Sequence, residues 1–107
     1  MQYKIYNRKD RAIFNGFPTE KELNDLRYTE YDLKYESVID DENQSYNEIL
    51  ENLFNKFQPG INEDCPTDYE GEQLKSGDVM VLNEGNGDIL FYIKTTGFAA
   101  VNKFFQE

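Results

Sequence analysis

Two short apolar runs constrain the fold of this chain more than any other feature of its sequence. Residues 79–82 and 89–93 consist of β-branched, aromatic and other large apolar side chains. The six residues between them, 83–88, include two glycines and two asparagines, a composition that is typical of the turn between two strands. We therefore expect a β-hairpin here and, with it, an antiparallel sheet to which the rest of the chain must pack.

Weaker strand patterns lie near both ends of the chain. Residues 3–6 carry aromatic and β-branched side chains and predict a short strand, with a possible extension toward residues 12–14 and a turn at Asn15-Gly16. The apolar residues within 98–105 fit either a strand or a terminal helical turn. The pattern leaves these two alternatives open, because short apolar runs carry no decisive period.

A fourth strand is predicted from the alternation of side chains between residues 31 and 39. Tyr31, Leu33 and Tyr35 alternate with Asp32 and Lys34, and a period of two describes a strand with one buried face. Tyr31, Leu33 and Tyr35 are therefore expected to share the buried side of this strand.

Two helices are predicted from capping-box spacings, in which a serine or threonine precedes a glutamate by three residues. Thr19 and Glu22 predict a short helix through Leu23 and Leu26. Ser45 and Glu48 precede a longer amphipathic helix that Pro59-Gly60 should end. The apolar stripe of this helix is Ile49, Leu50, Leu53, Phe54 and Phe57, opposite Glu48, Glu51, Asn52 and Asn55.

These elements predict an α+β fold, with a mainly antiparallel β-sheet and two amphipathic helices. A length of 107 residues fits one domain over residues 1–107, since domains usually contain about 100–150 residues. The polar residues 61–73 form a predicted loop, which Ile61 and Tyr69 are expected to anchor in the core.

The charge is unevenly distributed. The chain has 21 acidic and 11 basic residues and a net charge of −10. Residues 36–72 hold eleven of the acids and one base, Lys56, so this segment carries the whole excess. A run of charge is usually only a solvated face. The alternative is an acidic surface for a basic protein, for which the candidate residues are Asp40, Asp41, Glu42, Glu48, Glu51, Glu63 and Asp64.

Composition also argues against several function classes. An acidic chain repels nucleic acid and anionic membranes, so neither is an expected partner. The chain has no histidine and one cysteine, Cys65, whose acidic neighbours Glu63 and Asp64 should raise its pKa. We therefore expect no catalytic site, no metal and no cofactor. With no long apolar run or hydrophobic leader segment, the expected location is the cytoplasm.

Several motifs, taken together, resemble the YodL-like domain of bacterial mobile elements, over roughly residues 28–105. The stretch from Gly71 to Val79 is the most specific part. The motifs are Tyr31-Asp32-Leu33-Lys34-Tyr35, Leu53-Phe54-Asn55-Lys56-Phe57, Pro66-x-x-Tyr69-x-Gly71-x-x-Leu74-x-Ser76-Gly77-Asp78-Val79, Phe91-Tyr92-Ile93 and Gly97-Phe98-x-x-Val101. They are mostly turn glycines and aromatic core positions, so the resemblance implies a fold more strongly than a function, and it implies no catalytic residue.

What the resemblance implies about function rests on genomic context. Such domains occur on plasmids, conjugative elements and phages, beside genes for proteins that counter host defence. A small acidic chain is similar in format to anti-CRISPR proteins. This leads to the hypothesis of a stoichiometric inhibitor of a type II effector such as Cas9. Two mechanisms are open for it: competition with DNA through an acidic face that mimics DNA, or interference with guide assembly or with effector levels. The alternative is an interaction module that binds a relaxase or helicase through a sheet edge or through Tyr28, Tyr46 and Tyr69.

Overall fold

The predicted hairpin lies inside a wholly antiparallel sheet. The computed structural model describes residues 1–10, 16–40 and 44–101, and within these ranges the sheet has five strands. They are β1 (Gln2–Arg8), β2 (Tyr31–Val38), β3 (Val79–Asn83), β4 (Asp88–Lys94) and β5 (Gly97–Val101), in the spatial order β2-β1-β3-β4-β5. The helices are α1 (Glu20–Asn24) and α2 (Tyr46–Lys56), with a 3-10 turn at Tyr28–Glu30.

The mainly antiparallel sheet with two helices is therefore confirmed, and so is the hairpin, in which Val79 pairs with Tyr92 and Asn83 with Asp88. The last apolar run was predicted to be either a strand or a helical turn, and the structure shows a strand, β5, which ends at Val101. The predicted extension at residues 12–14, the asparagine of the predicted turn and residues 102–105 lie outside the described residues.

Both helices begin at the predicted caps. The Thr19 hydroxyl accepts from the Glu22 backbone N–H at 3.2 Å, and the Ser45 hydroxyl accepts from the Glu48 N–H at the same distance. Each cap satisfies one of the N–H groups that a helix start leaves without an intrahelical partner. Helix α1 is shorter than predicted, because it ends at Asn24; the buried Leu26 lies beyond it.

The sheet buries side chains on both faces. On the first face, α2 and the segment that follows it cover a cluster of twelve buried residues: Tyr3, Ile5, Ile49, Leu50, Leu53, Phe57, Tyr69, Leu74, Met80, Leu82, Phe91 and Ile93. On the second face, the segment after α1 contributes to a smaller cluster: Tyr6, Leu26, Tyr31, Val79, Val81, Leu90, Tyr92 and Val101. Strands β3 and β4 are buried on both sides, so their sequences read as continuous apolar runs.

The expectation that Tyr31, Leu33 and Tyr35 share one buried face was wrong. In the pairing with β1, Ile5 lies opposite Tyr35 and Tyr6 opposite Leu33, so Lys34 is an extra residue and β2 has a bulge. The extra residue reverses the side of the sheet on which later side chains lie. Tyr31 therefore packs in the second cluster, Tyr35 packs against the first, and Leu33 is 44% exposed.

A buried carboxylate joins β1 to the segment that precedes β3. Asp78 is 1% exposed. Its Oδ1 accepts from the backbone N–H of Arg8 at 2.9 Å, and its Oδ2 accepts from the N–H of Lys75 at 3.1 Å and from Asn7 Nδ2 at 3.4 Å. Burial of a carboxylate is costly unless its oxygens are hydrogen-bonded, and these three donors meet that requirement.

Asn7 extends this network into the loop before β3. The Asn7 Oδ1 accepts from the backbone N–H of Glu72 at 2.8 Å and from the Tyr69 hydroxyl at 3.3 Å. Gly71 lies so close to Asn7 and Tyr69 that an added Cβ would come within 2.6 Å of Asn7 Oδ1. The loop therefore requires glycine at this position, and Tyr69 anchors the loop as predicted. Ile61, the other predicted anchor, is 72% exposed, so that expectation was wrong.

Replacement of the buried carboxylate tests this network. Asp78→Asn should lower the free energy of unfolding by about 2–3 kcal/mol, because the new NH₂ group would face backbone N–H donors and leave at least one of them unsatisfied. Urea unfolding measures the change. Asp64→Asn is the control, since Asp64 is exposed, and should change the free energy by less than about 0.5 kcal/mol. Equal stability of the two variants would contradict the role of Asp78.

The buried Tyr31 predicts a loss of stability in alkali. Burial raises the pKa of Tyr31 above its ordinary value of 10, while its hydroxyl donates to the Gly77 carbonyl at 2.7 Å. A raised pKa in the folded state gives stability that is complete below pH 10 and is lost as the pH rises above that value. Urea unfolding between about pH 9 and pH 11 should therefore show a declining free energy.

In Tyr31→Phe the free energy of unfolding should be lower by about 1 kcal/mol at neutral pH, because the hydrogen bond to Gly77 is missing. It should also decline less steeply between about pH 9 and pH 11. Burial also raises the pKa of Tyr3 and Tyr6, so the variant should keep part of the slope. An unchanged slope in Tyr31→Phe would show that this hydroxyl does not govern the alkaline response.

Candidate protein-binding surface

The outer face of α2 carries the first part of the predicted site. Glu48, Glu51, Asn52 and Asn55 are all exposed. Glu48 and Glu51 are three residues apart, which puts their Cβ atoms about 5–6 Å from each other on a helix. The Glu48 carboxylate also accepts from the Ser45 hydroxyl at 3.2 Å, and Glu51 accepts from Asn47 Nδ2 at 3.4 Å. Both carboxylates therefore have a local hydrogen bond that restricts their position.

Hydrogen bonds hold the loop after α2 against the end of the helix. The N–H groups of Ile61 and Asn62 donate to the Gln58 carbonyl at 3.0 and 2.9 Å. Asn62 Nδ2 donates to the Asn55 carbonyl at 2.8 Å, and its side-chain oxygen accepts from the Asp64 N–H at 2.8 Å. The exposed Glu63 and Asp64 are thus fixed near the C-terminal end of α2.

Asp40 lies on the other side of α2, after the end of β2. It lines a groove of about 380 Å³ together with Asn52 and Lys56 of the helix. Asp40 is exposed, whereas Asp41 and Glu42, the remaining predicted residues, lie outside the described residues. We define the acidic surface as Asp40, Glu48, Glu51, Glu63 and Asp64: two residues on α2, two beyond its end and one across the groove.

Sequence reasoning left further acidic residues out of the site. Asp68, Glu70 and Glu72 are exposed in the loop that leads to β3. Asp68 lies near Tyr35, whose pKa is raised first by desolvation and then by the charge of Asp68. The sequence places Asp68 and Tyr35 far apart in the chain, so no local pattern could have revealed their proximity.

Cys65 is half-buried beside the first cluster. Burial raises the pKa of its thiol, and the charge of Lys56 opposes that rise. The predicted direction is confirmed, but the cause is burial and not the acidic neighbours. A raised pKa leaves little thiolate at neutral pH, and a thiol in that state is a poor nucleophile.

The described residues contain no group of three or more carboxylate or cysteine side chains placed to hold a metal ion. Within the same ranges, no helix has both the length and the apolar composition to cross a membrane. Every buried side-chain nitrogen and oxygen among the described residues has a hydrogen-bond partner. The polar chemistry of the described interior is therefore satisfied internally.

Comparison with protein families gives one match. A family model described as the YodL-like domain matches residues 3–104, which is nearly the whole chain. No curated protein and no solved structure matches it. The motif residues that carried the resemblance include Tyr69, Gly71, Gly77 and Asp78, and all four take part in the buried network or the close contacts around it.

The acidic surface predicts a salt dependence of stability. Like charges concentrated around one helix of a small fold repel one another, and salt screens this repulsion. Neutralisation of three of them, in the variant Glu51→Gln/Glu63→Gln/Asp64→Asn, should raise the free energy of unfolding by roughly 1 kcal/mol near 0.02 M salt and by less near 0.5 M.

The matched control is Glu20→Gln/Asp25→Asn/Glu84→Gln, which removes three exposed carboxylates from the part of the chain that is neutral overall. Urea unfolding at both salt concentrations compares the two variants. The same gain in both would show that total charge, and not its concentration around α2, determines the effect.

Proposed function

Because the chain belongs to the YodL-like domain family and has its charge concentrated around α2, we propose that it is an anti-defence protein. In this proposal it binds a basic, nucleic-acid-binding effector stoichiometrically and without catalysis. The effector to test first is the type II effector Cas9, whose inhibition would make the protein an anti-CRISPR. The observation that carries the proposal is the acidic surface.

The arrangement of the carboxylates supports a competitor of nucleic acid. Duplex DNA carries one negative charge per about 1.7 Å of its axis, and a channel that binds DNA has a matching density of lysine and arginine. Glu48 and Glu51 offer charges at about 5–6 Å on a helix, and Glu63 and Asp64 continue the series beyond its end. A folded chain presents these charges in fixed positions, so binding costs less conformational entropy than it would for a disordered acidic tail.

Charge repulsion within residues 36–72 lowers the stability of the fold, and this cost is a second argument for a binding role. The eleven acids within residues 36–72 repel one another and only one base, Lys56, lies among them, while the rest of the chain is balanced. Solubility alone needs net charge but does not need it within one segment. A surface that binds a basic partner gains from the concentration, because opposite charge speeds association and excludes partners of the wrong sign.

A second candidate function is an interaction module that binds a relaxase or helicase of a mobile element without inhibition. The observation that favours it is the edge strand β2, where the apolar side chains of Leu33 and Val38 are exposed. Of the three tyrosines assigned to this function, Tyr28 is exposed, Tyr46 packs edge-on against Phe91 and Tyr69 is buried. Under this alternative, substitutions at Leu33 and Tyr28 should weaken binding more than substitutions on the acidic surface.

Charge reversal tests the proposed function. The variant Glu51→Lys/Glu63→Lys/Asp64→Lys should inhibit DNA cleavage by Cas9 about 100-fold more weakly than the wild type, if each reversal costs about 1 kcal/mol at a charged interface. Inhibition by the wild type should also weaken as salt rises. The measurement is the concentration for half-inhibition at two or more salt concentrations.

The control Glu20→Lys/Asp25→Lys/Glu84→Lys makes the same change of net charge on exposed residues elsewhere. It should inhibit nearly as well as the wild type. No inhibition by the wild type, equal losses in both triple variants, or inhibition that salt does not alter would each rule out competition through the acidic surface. Stable binding to a relaxase or helicase in place of Cas9 would support the second candidate.

A further inference from the structure

Strand β2 is an edge of the sheet, and its outer side presents backbone groups. Among the described residues β2 pairs only with β1. Just past its end, the N–H of Ile39 donates to the Met1 carbonyl at 2.9 Å, and the Ile39 carbonyl accepts from the Met1 amino group at 3.2 Å. Successive residues of a strand direct their backbone groups to opposite sides. The N–H and C=O of Val38 and Glu36 therefore point away from β1, toward the open edge.

The groove of about 380 Å³ lies beside this edge. Its helix side includes the buried Ile49 and Leu53, and its strand side includes Val38 and Ile39. The polar residues Asp40, Gln44, Asn52 and Lys56 also line it. An exposed edge strand next to a groove with apolar residues has the two components of peptide recognition by strand addition. Backbone hydrogen bonds supply affinity, and a pocket for alternate side chains supplies specificity.

We propose that β2 and this groove bind one extended, basic segment of another protein, which adds to β2 as a sixth strand. An apolar side chain of the segment packs against Val38 and Ile39 on the strand side of the groove, because Ile49 and Leu53 on the helix side are only 1% and 3% exposed. A lysine or arginine beside it is attracted by Glu36 and Asp40 at the edge. The identification of the occupant as basic rests on the proposed function, since it takes the partner to be a basic protein. The proposal adds how that partner is held.

Charge selects this occupant over a second copy of the chain. Two copies would each bring a net charge of −10, and the edge itself exposes Asp32, Lys34 and Glu36. A basic segment meets Asp40 and Glu36 at the edge. Lys56 lines the groove and the Met1 amino group donates to the Ile39 carbonyl, so the basic residues of the segment are expected along the edge, toward Glu36 and Asp40, and not beside these two cations. Val38 is 66% exposed, which leaves an apolar side chain for the added strand to cover.

A selection from phage-displayed random heptapeptides tests the proposal with the full chain as bait. The enriched peptides should alternate apolar with basic residues and should bind in a 1:1 complex. Enrichment of acidic peptides, no enrichment, or a wild-type chain that dimerises through β2 in sedimentation would overturn the proposal.

Two pairs of variants locate the site of the selected peptide. Asn52→Trp fills the groove, whereas Asn55→Trp places the same bulk on the exposed face of α2 outside it. Val38→Pro removes an outward N–H from an edge strand, a position where proline is tolerated, and Val38→Thr keeps that N–H. Asn52→Trp and Val38→Pro should each weaken binding at least tenfold, while Asn55→Trp and Val38→Thr should not. Equal affinities within either pair would overturn the proposal.

Hydrogen exchange provides a readout that does not depend on affinity. On binding, the amides of Glu36 and Val38 should gain protection, because they become partners of the added strand. Unchanged exchange at both amides in the saturated complex would contradict strand addition. The selected peptide can bind as described even if Cas9 is not inhibited, and Cas9 can be inhibited through Glu51, Glu63 and Asp64 even if the groove binds nothing. The two proposals therefore fail separately.

Discussion

The buried carboxylate of Asp78 is the interaction on which the rest of the structure depends. Its oxygens accept hydrogen bonds from the backbone of Arg8 and Lys75 and from the Asn7 side chain, so they connect the first strand to the segment before the third. This connection helps to place β1 inside the sheet, between β2 and β3. A pairing between residues so far apart in sequence must offset the entropy of closing a long loop. Other strand pairings would leave the groups of this buried hydrogen-bond network unsatisfied, and they are therefore costly.

The same network explains why the most specific motif of the family carries framework residues. Tyr69 donates to the Glu72 carbonyl at 2.6 Å, Gly71 permits the close approach of Asn7 and Tyr69, and Gly77 adopts a φ of 101°, which favours glycine. These residues determine the path of a loop that has no regular secondary structure. The polar groups of these residues are engaged in hydrogen bonds inside the protein, so a binding function is expected on the outer surface.

The outer surface has two different faces around α2. One face carries carboxylates whose positions are restricted by the helix cap and by the hydrogen-bonded loop at Asn62. The other faces a groove with an apolar side and an open strand edge. The bulge at Lys34 belongs to the same edge. Bulges and charged side chains commonly protect edge strands from unspecific pairing. Here the bulge lies in the first half of β2, while the outward backbone groups of Val38 remain accessible in the second half, beside the groove.

The sequence by itself determined the elements whose causes are local. Capping residues defined both helix starts, glycine and asparagine defined the hairpin turn, and apolar runs defined β3 and β4, because each depends on neighbours within a few residues. The concentration of acids around α2 was equally visible. Tertiary structure alone decided the place of β1 between β2 and β3, the bulge that separates Tyr31 from Tyr35, the exposure of Ile61 and the groove beside β2. These features depend on contacts between distant segments, where pairing register and the burial of polar groups outweigh any local pattern.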